Sequence, residues 1–260
     1  AIIEKLRLDK YLADMGLGTR TEIKEFIKKG FVTWNGEIVK KPEQKVDTQK
    51  DRVFYHGIEI PYHTMEYYMI NKPAGVLTAT EDKRQKTILD FFDYPIRNDL
   101  FPVGRLDKDA EGLLLITNDG ALAHKLLSPK NHIPKRYFVI VSGIIEQQDI
   151  DAFAEGLFIP AYGKEKQKIE QKKETDRFAA FQAMPAKMKI LFLDKEKKQS
   201  HVEIQIYEGK FHQIKRMCQA ISKPVIYLKR ISMGNLELDH SLKLGEYRAL
   251  TEEEINNVRK

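Results

Sequence analysis

The hydrophobic positions of the first sixty residues follow a helical period and then a strand-like one. Four apolar residues recur at the i, i+3, i+4 and i+7 positions of one helix face: Leu8, Tyr11, Leu12 and Met15. The glycines at 16 and 18 end this helix, and Thr19 with Glu22 forms the capping-box pattern that begins a second one. Asn35-Gly36 lies between two short apolar runs, which predicts a hairpin with a type I′ turn. The sequence therefore predicts two short helices followed by a hairpin.

From residue 67 onward, strand-like and helical patterns alternate irregularly. Strands are predicted at 67–71, 113–117, 136–142, 188–192, 201–207 and 231–236. Helices are predicted at 88–92, 121–127, 147–155, 212–221 and 251–258, and the last begins with a second capping box, Thr251 with Glu254. This irregular order favours an α+β fold with a mixed, mainly antiparallel sheet over a doubly wound parallel sheet.

The change of pattern divides the chain into a small and a large domain. We predict a small domain over residues 1–60, a linker over residues 61–66 that begins at Pro61, and a large domain over residues 67–260. Residues 163–178 are rich in Lys, Glu and Gln with little apolar content, which predicts a mobile surface insertion.

Composition excludes several classes of protein. The 260 residues are 42% hydrophobic and 32% charged, and no run of 18 apolar residues could span a membrane. Cys218 is the single cysteine, so the chain cannot form an internal disulfide, and we expect a cytoplasmic location. No Cys/His spacing indicates a metal site, so none is predicted.

The charge of the chain is modest, and its distribution is more informative than its sum. The formal net charge is +6, while residues 1–60 are nearly balanced, with 12 Lys/Arg against 10 Asp/Glu. Residues 209–236 contain no acidic residue and six basic ones: Lys210, Lys215, Arg216, Lys223, Lys229 and Arg230. Aromatic residues are interleaved with these cations, an arrangement that suits a nucleic acid as well as an ordinary solvated face.

One carboxylate has an unusual position. Asp107 ends the stretch Gly104-Arg105-Leu106-Asp107, and an apolar run at 113–116 follows it and predicts a buried strand. A carboxylate beside a core strand is paired, hydrogen-bonded or chemically active. On these residues alone, a paired structural aspartate is the favoured interpretation.

Four segments, taken in order, change that interpretation. They are Asn71-Lys-Pro-Ala-Gly75, the stretch from Gly104 to Gly120, Lys135-Arg-Tyr137, and Glu208-Gly-Lys-Phe-His-Gln-Ile-Lys-Arg-Met217. Together they resemble the motifs of the RsuA and RluA superfamily of pseudouridine synthases. The resemblance implies that Asp107 is the essential catalytic residue, that Tyr137 stacks on the extracted base, and that Lys215 is the cation facing Asp107.

The same resemblance implies RNA contacts around this site. Arg105 would open the duplex or hold the target strand, and further contacts are expected at Lys72, Lys210, His212 and Arg216. Ordinary roles remain open for each residue type: a salt bridge from Arg105 to Asp109 or Glu111, a core position for Tyr137, and an exposed or phosphate-binding position for Lys215.

The first fifty residues resemble a second family, the alpha-L RNA-binding motif. That resemblance implies that the second helix and the hairpin lie on RNA. Five basic residues would then contact phosphates: Arg20, Lys24, Lys28, Lys40 and Lys41. The alternative is that these charges only keep a small helical cap in solution.

Together, the two resemblances imply a two-domain RNA-modifying isomerase. Converting uridine to pseudouridine changes neither oxidation state nor composition, so no cofactor and no metal is expected. His212-Gln-Ile-Lys-Arg-Met resembles the RsuA type, which implies a single uridine in 16S rRNA as substrate. A synthase for 23S rRNA and a non-catalytic RNA-binding assembly factor are the alternatives. We expect rRNA as the partner and a monomer.

Overall fold

The computed structural model describes residues 5–93, 95–161 and 176–260. Most of the insertion predicted for residues 163–178 lies outside these described residues. The part within them is a short 3-10 turn, Asp176–Phe178.

The first part of the chain forms two helices and short strands around one core. In chain order the elements are β1 (Lys5–Arg7), α1 (Leu8–Asp14), α2 (Arg20–Lys28), β2 (Val32–Trp34), β3 (Glu37–Ile38), β4 (Lys45–Asp47), β5 (Val53–Tyr55) and β6 (Ile58–Glu59). The predicted capping box at Thr19 is present, and Asn35 and Gly36 both have positive φ, at 48° and 86°. The strands form a sheet in the order β3-β2-β5-β6 and a separate antiparallel pair, β1 with β4.

The second part contains the remaining strands and helices. In chain order they are β7 (Tyr67–Lys72), β8 (Phe101–Pro102), β9 (Glu111–Thr117), α3 (Gly120–Leu127), β10 (Lys135–Ser142), α4 (Gln147–Glu155), β11 (Phe158–Ile159), β12 (Phe181–Gln182), β13 (Lys187–Asp194), β14 (Gln199–Ile206), α5 (Gln213–Ala220), β15 (Val225–Met233), β16 (Leu236–Glu237), β17 (Tyr247–Ala249) and α6 (Glu252–Arg259). Residues Ile88–Phe91 form a 3-10 helix between β7 and β8.

Nine of these strands form one mixed sheet, whose main order is β13-β14-β10-β15-β9-β7-β17, with β16 paired to β15 and β8 paired to β9. Strands β11 and β12 form a separate antiparallel pair. Strand pairs on either side of β15·β9 are antiparallel, whereas β15 and β9 are parallel. The parallel pairing is short and joins Lys229 to Glu111 and Arg230 to Gly112. It is the junction between the two antiparallel halves of the sheet.

The burial of the strands explains their sequence patterns. Strand β9 is central, and its side chains enter cores on both faces: Leu113 and Leu115 on one, Leu114 and Ile116 on the other. A strand covered on both faces shows a continuous apolar run. Strand β10 alternates instead, because only one of its faces packs against α4 and α5.

The predicted helices and strands agree with the structure where the sequence pattern depends on neighbouring residues. The α+β class and the mainly antiparallel sheet are confirmed, and α4 begins and ends at the predicted residues. The strand predicted at 231–236 is wrong in its bounds, because β15 ends at Met233 and the chain turns through Gly234 into β16. The short strand β17 was missed, since its three residues show no pattern of their own.

The segment predicted as a linker makes contacts with both parts of the chain. The Tyr62 hydroxyl donates to Asp14 in α1, and the main chain of Glu66 donates to Asn118. The main-chain N–H of Asn98 also donates to the carbonyl of Asp14 at 2.8 Å. The domain limits 1–60, 61–66 and 67–260 stay a prediction.

Candidate active site

A buried lysine fixes the loop that carries Asp107. Lys72, at the end of β7, is fully buried, and its Nζ donates to the carbonyl oxygens of four residues: Pro73, Asp107, Lys108 and Ala110. Burial lowers the pKa of Lys72 to about 8, which leaves it protonated at neutral pH. The loop is further held by Thr78, whose hydroxyl accepts from the N–H of Leu106 and donates to its carbonyl. Asp107 is therefore placed by main-chain contacts.

We expect Lys72→Met to lower the free energy of unfolding by about 2–4 kcal/mol, because buried carbonyls would lose their donor. Turnover should fall as well, by about tenfold or more, since the loop would no longer hold Asp107 in one position. Chemical denaturation and single-turnover assays measure the two effects. Lys83→Met, which removes an exposed lysine, is the matched control. Unchanged stability of Lys72→Met would contradict the anchoring role.

Asp107 lies in a small cluster of charged and polar side chains. The Nζ of Lys215, on α5, is 3.1 Å from Asp107 Oδ2 and 2.6 Å from Asp109 Oδ1. The Nε2 of His212 is 3.4 Å from Asp107 Oδ1, and the His212 ring stacks on Phe211 at 3.7 Å between centroids. The structure therefore brings Asp107, Lys215 and His212 together.

The pKa shifts in this cluster favour the charged forms of Lys215 and Asp109. Burial disfavours the charged form of Lys215, but the hydrogen bond to Asp109 and the charge of Asp107 outweigh it, so its pKa is raised. Burial likewise opposes ionisation of Asp109, and Lys215 reverses this, so the pKa of Asp109 is lowered. The pKa of His212 is lowered, chiefly by burial, so this imidazole is neutral at pH 7. The cluster thus supplies an ammonium between two carboxylates.

Asp107 faces a cavity of about 560 Å³, a volume within the range of small-molecule sites. The cavity is lined by the loop at 104–107, by residues 206–210 and by the start of α5. Tyr137, on β10, lines the cavity from the sheet, as do Leu228 and Arg230 from β15. The predicted residues Arg105, Asp107, Tyr137, Lys210 and His212 all lie in this lining, while Lys215 supports Asp107 beside it.

Two cavity residues were missed by the site prediction. Lys135 and Arg230 both line the cavity, and both are buried. Lys135 could have been found, because residues i and i+2 of a strand share a face and Tyr137 was already assigned. Arg230 could not, because it depends on the pairing of β15 with β9 and β10. At that junction Gly112 has φ +107°, and a Cβ there would lie 2.2 Å from the Arg230 carbonyl oxygen, so only glycine permits the approach.

Two predicted RNA contacts require correction. Lys72 is buried beneath the loop and cannot reach a phosphate. Arg216 is also buried, and its guanidinium donates to main-chain carbonyls, among them those of Pro160 and Ala179. Both cations hold main chain in place. Consequently, the basic window at 209–236 does not form a single charged surface, and Lys223 in the same window pairs with Asp149.

The remaining predicted contacts are exposed, except His212, whose side chain is partly buried beside Asp107. Arg105 projects at the rim of the cavity, and among the described residues its side chain pairs with neither Asp109 nor Glu111, which bind Lys215 and Tyr227 instead. On α2 three cations are spaced four residues apart and so share one face: Arg20, Lys24 and Lys28. Arg20 is held by the buried Asp9 at 3.0 Å, and Lys40 and Lys41 are exposed beyond the hairpin. Their contacts with RNA stay predictions.

The cavity that contains Asp107 has the size and the charged groups of an enzyme active site, and similarity to known protein families identifies the family. Residues 66–220 match the family described as RNA pseudouridylate synthase, and residues 6–53 match the S4 domain. The chain belongs to the RNA pseudouridylate synthase family, so it is an isomerase that carries an S4 domain at residues 6–53.

The similarity to known proteins extends over almost the whole chain. The uncharacterized RNA pseudouridine synthase YtzG of Bacillus subtilis (strain 168) is 43% identical and covers 96% of this chain and 97% of its own. Ribosomal small subunit pseudouridine synthase A of Haemophilus influenzae is 36% identical, covering 97% of this chain and 99% of its own. Ribosomal large subunit pseudouridine synthase B of Bacillus subtilis is also 36% identical, covering 97% and 95%.

A solved structure agrees with the fold. A crystal structure of a pseudouridylate synthase covers 97% of this chain and 99% of its own, with a TM-score of 0.61 and 35% identity. No helix in the described residues has the length and apolar character needed to cross a membrane.

Proposed function

We propose that this enzyme converts one uridine of 16S rRNA to pseudouridine, with Asp107 as the catalytic carboxylate. The observation that carries the proposal is the pairing of Asp107 with Lys215 at 3.1 Å on the wall of a nucleotide-sized cavity. A carboxylate that attacks a sugar or base, or that removes a sugar proton, must be ionised. The ammonium of Lys215 supplies the neighbouring positive charge in a site that closes around a base.

The cavity can also accept a uracil base that has rotated out of an RNA helix. A duplex hides the reacting atoms of uridine, so the nucleotide must turn out into the enzyme. Tyr137 presents its side chain to the cavity as a stacking surface for the uracil. Arg105 is exposed at the rim, where it can hold the strand that the uridine leaves. In this proposal, side chains of the enzyme hold both the extracted base and the strand that it leaves.

Two observations bear on which RNA is the substrate. The small- and large-subunit synthases are equally similar to this chain, at 36% identity each, so overall similarity does not discriminate between them. The segment His212-Gln-Ile-Lys-Arg-Met resembles the RsuA type, and this resemblance supports the small subunit. Modification of 23S rRNA is the second candidate. A non-catalytic assembly factor is disfavoured, because binding alone does not require the ion pair at Asp107.

Mapping pseudouridine in cellular rRNA tests the proposal. Cells with and without this protein are compared at every uridine of both large rRNAs. We expect one pseudouridine to disappear from 16S rRNA and to return with the wild-type protein, but not with Asp107→Asn. Loss of a site in 23S rRNA alone would move the substrate to the large subunit, and unchanged maps would contradict an rRNA substrate.

The small domain provides a separate prediction about affinity. We expect deletion of residues 1–60 to leave a catalytic domain that unfolds cooperatively and binds rRNA more weakly. The slope of log affinity against log salt should become shallower, because the basic face of α2 would no longer contact phosphates. Filter binding at several salt concentrations measures it. The double variant Lys24→Met, Lys28→Met should reproduce part of this change. Equal slopes for the full and truncated proteins would make the small domain a structural cap.

A further inference from the structure

Two cations in the active-site cavity have no anionic partner among the residues that the structure describes. Lys135 and Arg230 are 8% and 2% exposed, and both line the cavity that contains Asp107. The Nζ of Lys135 donates to the carbonyl of Ile133 at 3.3 Å. The Nε of Arg230 donates to the Leu113 carbonyl, and its Nη2 is buried without a hydrogen bond. Such an arrangement is unfavourable in a protein alone, because buried charges are normally paired.

The two cations share one face of the sheet. Tyr137 lies opposite Arg230 in the pairing of β10 with β15, and Lys135 is two residues from Tyr137 along β10. The two charges are also close enough to affect each other. Burial, and then the positive charge of Arg230, lower the pKa of Lys135 to about 8. Lys135 is therefore mostly protonated at pH 7, beside a second positive charge.

The carboxylates of the cavity are already engaged by other groups. Asp107 pairs with Lys215, and the carboxylate of Glu208 accepts from the N–H of Met184 and from the Gln213 amide, both at 2.8 Å. Within the described residues, neither carboxylate lies within ion-pair distance of Lys135 or Arg230. The cavity therefore presents a negative group for chemistry and, separately, an unneutralised pair of cations.

We propose that Lys135 and Arg230 bind a backbone phosphate adjacent to the uridine held at Asp107; the proposal rests on the function proposed above. Uracil and ribose are uncharged, and the phosphodiester is the anionic part of a nucleotide. Arginine suits phosphate oxygens because its planar guanidinium donates in a fixed geometry. A phosphate held here would position the flipped nucleotide with its base over Tyr137.

Binding of small nucleotides tests the proposal without requiring turnover or a known target RNA. The probes are uridine, uridine 3′-monophosphate and uridine 5′-monophosphate, titrated into the full-length protein at constant ionic strength. We expect at least one monophosphate to bind about tenfold more tightly than uridine, a difference of about 1.4 kcal/mol. Lys135→Met and Arg230→Met should abolish this preference and leave the affinity for uridine unchanged.

Matched variants keep the test decisive. Lys195→Met removes an exposed lysine in the turn between β13 and β14 and should retain the preference for the monophosphate. Lys135→Met keeps the aliphatic stem and removes a buried charge, so its melting temperature should equal or exceed that of the wild type. It decides the test alone if Arg230→Met does not fold.

Three results would overturn the proposal. They are equal affinities of wild type for uridine and both monophosphates, an undiminished preference in Lys135→Met, and an equal loss of uridine and monophosphate binding in the variants. The last would mean that the pair holds the base or ribose. Absence of pseudouridine formation would contradict the proposed function instead, and would leave these binding results intact.

Discussion

Replacing Asp107 with asparagine is expected to reduce turnover by several orders of magnitude while changing RNA affinity by less than about tenfold, or 1.4 kcal/mol. Asparagine keeps the size of the side chain and removes the charge that nucleophilic attack or proton removal requires. The loop should keep its position, because Lys72 and Thr78 hold its main chain and not the Asp107 side chain. Single-turnover assays and binding titrations with the same RNA separate the two quantities.

The matched control for this variant is Asp109→Asn, which removes the neighbouring carboxylate. Asp109 is largely exposed and contacts Lys215 rather than the cavity, so we expect it to lose much less activity. Near-normal turnover by Asp107→Asn, after deamidation has been excluded by mass spectrometry, would remove Asp107 from its assigned role.

Lys215→Met is expected to lower turnover by about a hundredfold or more, because the cation beside Asp107, the proposed catalytic carboxylate, is lost. Asp107 and Asp109 would then be neighbouring carboxylates without an ammonium between them. Since a nearby cation favours the charged form of a carboxylate and a like charge disfavours it, the acidic limb of the activity profile should move to higher pH. The profile of single-turnover rate against pH measures the shift.

Lys215→Arg restores the positive charge and should recover the position of the acidic limb, even if geometry lowers the rate. This rescue separates a role in charge from a role in packing. A variant Lys215→Met that binds RNA more weakly, with an unchanged pH profile, would assign Lys215 to a phosphate contact.

The sequence predicted the parts of this molecule that depend on neighbouring residues. The capping boxes at Thr19 and Thr251, the turn at Asn35-Gly36 and helix α4 are local arrangements, and all are present. The order of the four motif segments was sufficient to identify the family. It also placed Asp107 beside Lys215, which are 108 residues apart in the chain.

The sequence failed where a side chain's environment is built by distant segments. The sequence predicted RNA contacts for Lys72 and Arg216, because nothing near them in the chain reveals the carbonyl oxygens that their side chains bind. The same limitation applies to Arg230, whose position follows from the parallel junction of β9 and β15. A run of basic residues therefore predicts charge, but not whether that charge faces RNA, main chain or a cavity.

The anchoring of the Asp107 loop through its main chain has a consequence for how such enzymes can diversify. Lys72 and Thr78 bind peptide groups, which every amino acid supplies, so their hold does not depend on the identity of the exposed side chains at 105 and 108. These two exposed positions can change by mutation without displacing Asp107. An ancestor with this loop could thus acquire a new RNA target by exchanging exposed loop residues, while Asp107 kept its position.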